Sequence, residues 1–276
     1  MGINRIKKHI PKSVKKRLIP VYRSVRKAKY DFRAKMHPSE AVYYCPCCNT
    51  RLGSFVAGNY NKRHDYFDPV RYKDTVQEVK CPQCGAIPRH RILAAWFTQH
   101  KVELKDRRIL YFACERGIKL WLRRNRIKVT TADLYRKADL KLDIEETGLE
   151  SESWDWVICN HVLEHVNDFR KALSEIYRIL KPGGTLICSF PILSQYPTVV
   201  EETDHSESSA AKRLELYGQA DHLRVFGADS AELLEKTGFE VSLMDGETMP
   251  EEILPIVGPA DYDVNYLFIC RKPYHR

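Results

Sequence analysis

The sequence predicts an α/β fold, an open and mostly parallel sheet with helices on both faces, and three observations predict it. Trp156 to Cys159 is a continuous apolar run, the pattern of a strand buried on both sides. From about Asp168 to Leu180, the residues Phe169, Leu173, Ile176, Tyr177 and Leu180 recur at helical spacing. Lys181-Pro182-Gly183-Gly184 then stops the helix, since proline cannot continue it and glycine tolerates positive φ, and Thr185 to Phe190 is a second apolar run. Strand, helix and strand in one sheet make a βαβ unit, which is almost always right-handed.

The chain has 276 residues, enough for one full α/β domain and a small module. A hydrophobic content of 43% is ordinary for a globular protein. No apolar stretch is long enough to span a bilayer, and the first residues lack the apolar core and cleavage site of a signal peptide. The net charge of +9 belongs to one segment, because residues 1–36 hold 13 Lys or Arg against one acid, Asp31, which leaves the remainder mildly acidic.

In the basic segment Ile3, Ile6, Ile10, Val14 and Leu18 fall at helical spacing, and Pro11 and Pro20 are expected to cut it into short helices. Such a cationic amphipathic segment suits an anionic membrane surface. It equally suits a helix packed on its own domain with a solvated basic face. Nucleic acid stands behind both, since phosphate contacts need the charges but not the apolar stripe. The myristoylation pattern after Gly2 fails because position 6 is Ile.

The chain carries 9 cysteines. Cys45-Pro46-Cys47-Cys48 and Cys81-Pro82-Gln83-Cys84-Gly85 are two Cys-x-x-Cys knuckles, and two knuckles complete a tetrahedral four-thiolate site. Cys45, Cys48, Cys81 and Cys84 are the expected ligands of a structural Zn2+, with Cys47 the alternative in the first knuckle. The spacing fits a zinc ribbon with Asn49 to Lys80 as an inserted loop. Four sulfurs leave such a zinc no open position for catalysis. The remaining cysteines read as buried thiols of a reducing, cytoplasmic compartment. Arg89-His90-Arg91 opens the next helix and reads as its solvated first turn.

The βαβ segment also carries a family resemblance. "WDWVICNHVLEHV" followed by "ALSEIYRILKPGGTLICSFP" resembles the fourth strand, fourth helix and fifth strand of class I S-adenosylmethionine-dependent methyltransferases. It is similar above all to the large group with the signature D-x-V-x-x-x-x-V-L-E-H-V and then R-x-L-K-P-G-G, the methyltransferase type 11-like domain. The resemblance covers about Arg108 to Arg271. It implies a Rossmann-like sheet of seven strands ending in an antiparallel hairpin, and S-adenosyl-L-methionine as cofactor. The strands then run Arg108 to Ala113, Lys128 to Ala132, a short third within Ala138 to Ile144, the two of the βαβ unit, a sixth from Gly238 and a seventh at Tyr266 to Cys270. Ser230 to Thr237 is the helix before the hairpin.

The resemblance also assigns residues. The family's glycine loop D-x-G-x-G-x-G falls on Tyr111 to Gly117. Ala113 and Glu115 replace glycines, Tyr111 replaces the acid, and Gly117 is kept. The Glu115 carboxylate either binds the cofactor's ammonium or blocks the pocket. Asp133, with Leu134 beside it, ends the second strand where the family holds the ribose hydroxyls with an acid. Asp143 and Ile144 match the pair beside the adenine, and Asp155 reads as structural. Asn160 and His161 leave the carboxyl end of the fourth strand, where ligands of open α/β sheets lie.

His161, Glu164 and His165 spell the zinc-peptidase pattern H-x-x-E-H, but a strand end is the wrong context for it. Some quinone-pathway O-methyltransferases resemble this stretch with an acid at position 161 and bind a divalent metal there. The preferred reading of Glu164 and His165 is helix start and packing. Tyr217 to Gly227 resembles the "DH-x-R-x-(Y/F)-G" stretch of methyltransferases associated with bacterial surface glycans. There Asp221, His222 and Arg224 either face the acceptor or, as an Asp221–Arg224 pair, hold a lid. His222 is the first candidate general base and His161 the second.

The expected organisation is a basic helical segment over 1–38, the zinc ribbon over 39–92, and the methyltransferase domain over 93–276 with a lid or substrate insertion at 190–227. The expected activity is methyl transfer to a small polar acceptor such as a sugar of a glycan precursor. The protein is then cytoplasmic, at most peripheral on the inner face of a membrane. A zinc-ribbon RNA methyltransferase and a non-catalytic scaffold with a degenerate loop are the rivals.

Overall fold

The computed structural model describes residues 12–56, 79–193, 196–201, 209–253 and 266–274. The elements are α1 (Lys12–Met36), β1 (Tyr43–Cys45), β2 (Thr50–Leu52), α2 (Pro88–Gln99), β3 (Ile109–Phe112), α3 (Arg116–Asn125), β4 (Thr130–Ala132) and β5 (Trp154–Asn160). Then come α4 (Phe169–Ile179), β6 (Leu180–Ser189), β7 (Val200–Glu201), α5 (Ala210–Tyr217), β8 (Arg224–Val225), α6 (Ser230–Lys236), β9 (Glu240–Asp245) and β10 (Tyr266–Arg271).

The main sheet has the order β4-β3-β5-β6-β10-β9. Strands β3 to β6 are parallel, and β10 runs antiparallel to both β6 and β9. The βαβ unit is therefore present, with α4 capped by the Asp168 carboxylate, which accepts from the amides of Arg170 and Lys171 at 2.9 and 3.0 Å.

The described residues give six strands in this sheet, not seven. The third expected strand shrinks to one bridge, Ala132 to Leu140. Local bonds take its place. The Asp139 carboxylate accepts from the Thr131 amide and hydroxyl at 2.9 and 2.7 Å, and Asp143 accepts from the Glu145 amide at 2.9 Å and closes a turn.

Lys181 to Gly184 does not separate helix from strand as a free turn. Trp154 pairs with Leu180 and Trp156 with Thr185, so the four residues bulge out of an otherwise continuous β6. A Cβ on Gly184 would sit 2.8 Å from the Lys181 carbonyl, which makes glycine a requirement there. Asp155 is structural, since it accepts from the Arg108 amide and the Lys181 ammonium, both at 2.8 Å.

Alternate strand residues bury on opposite faces. Leu110, Phe112, Val157 and Cys159 join α4 and Phe226 in one core. Ile109, Tyr111, Trp156 and Ile158 join α2, α3 and the knuckle cysteines Cys45, Cys47, Cys81 and Cys84 in the other. The helix α2 crosses the expected boundary at residues 92 and 93, and the cysteine module shares its core with the sheet.

Pro20 does not break α1, which runs unbroken for 25 residues. One missing amide donor does not outweigh the surrounding helix-favouring Lys, Arg and Ala. Pro11 and the isoleucines at 3, 6 and 10 lie outside the described residues. The helix is moored to the second knuckle. Arg26 donates to the Gln83 side-chain and backbone oxygens at 2.8 and 2.7 Å, and Gln83 donates to the Arg23 carbonyl at 2.8 Å.

In the expected lid, β7 pairs antiparallel with β8, and α5 falls between them in the sequence. Arg224 pairs not with Asp221 but with Glu201, at 2.9 Å. Its side chain is fully buried and also donates to the carbonyls of Leu163, Val166 and Asn167 at 2.8, 2.6 and 2.8 Å. The guanidinium thus straps β7 and β8 onto the loop between β5 and α4. Replacing Arg224→Met leaves three carbonyls and Glu201 without these bonds. A loss of about 3–5 kcal/mol in urea-monitored unfolding is expected.

Candidate functional site

The two knuckles bring four sulfurs together. Cys45, Cys48, Cys81 and Cys84 each place a sulfur within 4.8 Å of the other three. The closest pairs, Cys45–Cys84 and Cys48–Cys81, are 3.7 and 3.8 Å apart. A tetrahedron with metal–sulfur bonds of about 2.3 Å has edges of roughly 3.8 Å, so the donor set fits zinc. These spacings are far too long for disulfides, and all nine cysteines are free. Cys47 turns away and donates to the His90 carbonyl at 3.3 Å.

Turn geometry explains the fit. Asn49 and Gly85 follow the knuckles with φ of 54° and 83°, and the Ala86 amide points at the Cys84 sulfur at 3.4 Å. Arg91 lies beneath, fully buried over the Phe55 ring at 4.0 Å. It donates to the carbonyls of Ile253 and Val79, so it is not a solvated residue. Arg124 of α3 donates to the carbonyls of Cys47 and Pro46 at 3.1 and 2.9 Å.

Arg89 and His90 are half-buried and turn toward Glu115. The Ile87 amide donates to His90 Nδ1 at 3.1 Å, which leaves Nε2–H to donate to Glu115 Oε1 at 2.9 Å. Arg89 reaches the same oxygen at 3.3 Å, and the buried Tyr111 hydroxyl donates to Oε2 at 3.1 Å. Burial pushes the Glu115 carboxyl up, but His90, Arg89 and the nearby His161 outweigh it and hold it at about 2. Both oxygens of Glu115 are thus engaged by this chain. Sequence reasoning missed Arg89, His90 and Tyr111 as its partners. The signal was there in kind, since a charge in a buried loop needs a cation, but nothing local named the cation.

Ala113 keeps the left-handed backbone that glycine would adopt, with φ of 49°, and its amide donates to the Ala132 carbonyl at 2.8 Å. Gly117, inside α3, faces the cysteine module. A Cβ there would stand 3.3 Å from the Ala86 Cβ.

Asp133 ends β4, and its Oδ1 accepts from the Tyr135 and Arg136 amides at 2.9 and 2.7 Å. Leu134 beside it is half-buried. Asp143 holds its own turn, while Ile144 is buried in the core under β4. Asn160, buried at the tip of β5, accepts from the Ser189 hydroxyl at 3.1 Å.

His161 follows with φ of 51°, its amide bonded to the Ser189 carbonyl at 2.7 Å. Its Nδ1 lies 3.0 Å from Glu164 Oε1, and its Nε2 is buried without a partner. An ionised carboxylate on Nδ1–H leaves the lone pair on Nε2. Burial, then Arg89, lowers the His161 pKa against the pull of Glu164, so the ring is a neutral base at pH 7. Burial raises the Glu164 carboxyl, but its bond to His161, then His165 and His222, brings it to about 2.

His222 is 2% exposed, and burial drives its pKa down to about 3. It packs edge-on against His165 with centroids 4.9 Å apart. Asp221 is exposed, with its carboxylate 3.7 Å from His165. The strap thus delivers His222 to Glu164 and not to the open end of the sheet.

Residues 118–188 match a methyltransferase domain. The match starts just after the loop from Ala113 to Gly117. A demethylmenaquinone methyltransferase of Listeria monocytogenes is 39% identical over 67 residues, 24% of this chain and 28% of that one. A squalestatin tetraketide synthase of Cochliobolus lunatus is 40% identical over 53 residues, 19% of this chain and 2% of that one. The chain therefore spans under a third of the curated relatives it matches. Among solved structures, a SAM-dependent methyltransferase from Archaeoglobus fulgidus is 20% identical, covering 66% of this chain and 94% of its own with a TM-score of 0.44. The [4+2]-cyclase SpnF is 19% identical, covering 67% and 84% with a TM-score of 0.46.

The depressed pKa of Glu115 has a consequence for stability. Its folded value of about 2 lies below the ordinary 4.5, so its contribution is complete above pH 4.5 and is lost as pH falls toward 2. The shift corresponds to roughly 3 kcal/mol at most. Between pH 5 and 2.5, unfolding free energies of wild type and Glu115→Gln should converge; a constant gap would contradict the assignment.

Proposed function

We propose that this chain is an S-adenosylmethionine-dependent methyltransferase that methylates a hydroxyl of a small polar acceptor such as a sugar. One observation carries the reading: the matched segment 118–188 builds parallel strands whose carboxyl ends gather Asp133, Asn160 and a buried, unpartnered His161 Nε2. Asp133 would hold the ribose, with one oxygen fixing its loop and the other for the hydroxyls. Asp143 and Ile144 would flank the adenine. The left-handed Ala113 keeps the backbone turn that nucleotide loops require.

When bound, the cofactor supplies an electrophilic methyl group on a sulfonium. The chain's part is to position the acceptor and take its proton. His161 fits that task better than His222. Its Nδ1–H is held by Glu164, which fixes the tautomer and supports positive charge on the ring once Nε2 is protonated. His222 is buried behind Glu164 and His165. Glu115, bonded through both oxygens, serves as the anchor of the loop.

The four thiolates would hold one structural zinc, closed to chemistry. The membrane reading of α1 gains support from an exposed stripe. Val21, Val25, Phe32 and Met36, 57–66% exposed, share one helix face flanked by Lys29 and Lys35. No described helix is long and apolar enough to cross a membrane. One observation favours an RNA substrate instead, a basic groove of about 810 Å3 lined by Lys101, Lys105, Arg107, Arg108, Arg126 and Lys128. It lies near the amino end of β3, away from His161.

Calorimetry with S-adenosylmethionine tests the reading directly. Saturable binding is expected in wild type and at least tenfold weaker binding in Asp133→Ala; no heat in wild type would leave a scaffold. With an acceptor in hand, His161→Gln should lower kcat by about 10²–10⁴ with little change in cofactor affinity. Flotation with liposomes containing anionic lipid should recover the full chain and lose it on Phe32→Asp with Met36→Asp.

A further inference from the structure

We propose that Glu164, His165 and His222 form a second metal site, which takes one divalent cation of the manganese-to-zinc series through two imidazoles and one carboxylate. Each of the three offers a ligand atom within 4.8 Å of the other two. Two histidines and a carboxylate are a donor set that such cations favour, and three protein ligands leave positions open.

The free lone pairs decide the case. Glu164 Oε1 is occupied by His161, while Oε2 is buried with no partner. His222 hydrogen-bonds the Tyr217 backbone, and its Nδ1 is buried with no partner, so the bonded nitrogen is Nε2. His165 Nδ1 bonds the Asp221 carbonyl at 2.8 Å, which places its proton there and its lone pair on Nε2, 3.9 Å from the Glu164 carboxylate. Each histidine thus gives its one N–H to a backbone carbonyl and turns the other nitrogen inward. That is the outer-shell arrangement that orients metal-ligating imidazoles. Unpaired buried polar atoms cost free energy; a cation would satisfy two of them, Glu164 Oε2 and His222 Nδ1, at once.

The ligand set is not the one that the run His161-x-x-Glu164-His165 suggests. His161 is bonded to Oε1 of Glu164, the oxygen that also lies 3.9 Å from His165 Nε2, so Oε2 is the free donor and the third ligand comes from the strap. The Leu223 amide bonds the Glu164 carbonyl at 2.8 Å, so backbone pairing already holds His222 in register. The side nearest His165, 35% exposed, is open to water or to an acceptor oxygen. A cation here would clamp the strap to the β5–α4 turn. This assignment does not depend on the proposed methyl transfer.

The test uses the full chain with its cysteines zinc-loaded and weaker ions removed. Titration with Mn2+ followed by electron paramagnetic resonance reads binding, because thiolates disfavour that harder ion. Repetition with Co2+ covers a site selective for softer ions, the absence of sulfur charge-transfer absorption marking nitrogen and oxygen ligands. One ion per chain is expected, with binding at least tenfold weaker in Glu164→Gln and His165→Ala. The thermal midpoint should rise with the ion in wild type alone. His165 is partly exposed, so its variant carries the test if His222→Ala fails to fold. The proposal is overturned if neither ion binds wild type, or if both variants bind as wild type does.

Discussion

Two ionised carboxylates inside the protein, Glu115 and Glu164, dictate what must surround them. Taking a carboxylate out of water costs several kcal/mol unless partners return the lost solvation. Neither residue finds enough partners on its own element. Glu115, at the start of α3, is met by Arg89 and His90 from the helix after the second knuckle. Glu164, after β5, has His161 nearby in sequence and draws His165 and His222 close as well. The cysteine module and the strap therefore approach the same end of the sheet for one electrostatic reason. Apolar burial alone would hold them to the faces without fixing which end they reach.

The loop after β3 shows the consequence. Glycine at position 113 would reach a φ of 49° without strain, and alanine there costs about 1 kcal/mol. The turn is nonetheless kept. At position 115 a glycine would leave Arg89, His90 and the Tyr111 hydroxyl without their shared acceptor. At 117 the absent side chain serves packing, since Ala86 stands where a Cβ would press at 3.3 Å. The departures from a glycine loop thus follow from the cysteine module lying against it. A loop designed only to admit a nucleotide would not need them.

Periodic and local features of the fold were legible in the sequence. The βαβ unit and the meeting of Cys45 and Cys48 with the second knuckle rest on spacing and turn chemistry within a few residues, and the antiparallel end of the sheet on the family resemblance. What was not legible depends on distant partners. Arg224 chose Glu201 over Asp221 because the β7–β8 ladder sets Glu201 directly opposite it. Arg89 and His90 read as a solvated turn because their acceptor is more than 20 residues away. The third strand failed for the opposite reason, since Asp139 and Asp143 offered the backbone closer bonds than a neighbouring strand did. At the site, Asp133, Asn160 and His161 were placed by their strand ends, whereas the pairing that makes His161 a base appears only once Glu164 is seen beneath it.

The four-cysteine cluster, though closed to chemistry, is mechanically continuous with the site. Its second knuckle fixes Cys84 and Gly85, and the Ala86 amide is bonded to the Cys84 sulfur at 3.4 Å. The Ile87 amide then sets the His90 ring through Nδ1, and that ring holds Glu115. Glu115 lies 31 positions after Cys84, and the path between them runs through two hydrogen bonds, the Ala86–Ile87 backbone and the His90–Glu115 contact. Loosening the knuckle would take the footing from Arg89 and His90, the partners of Glu115. A buried carboxylate without partners takes up a proton or turns toward water, and either change deforms the loop after β3. The four-cysteine cluster thus bears on the strand-end site through the orientation of one imidazole, that of His90.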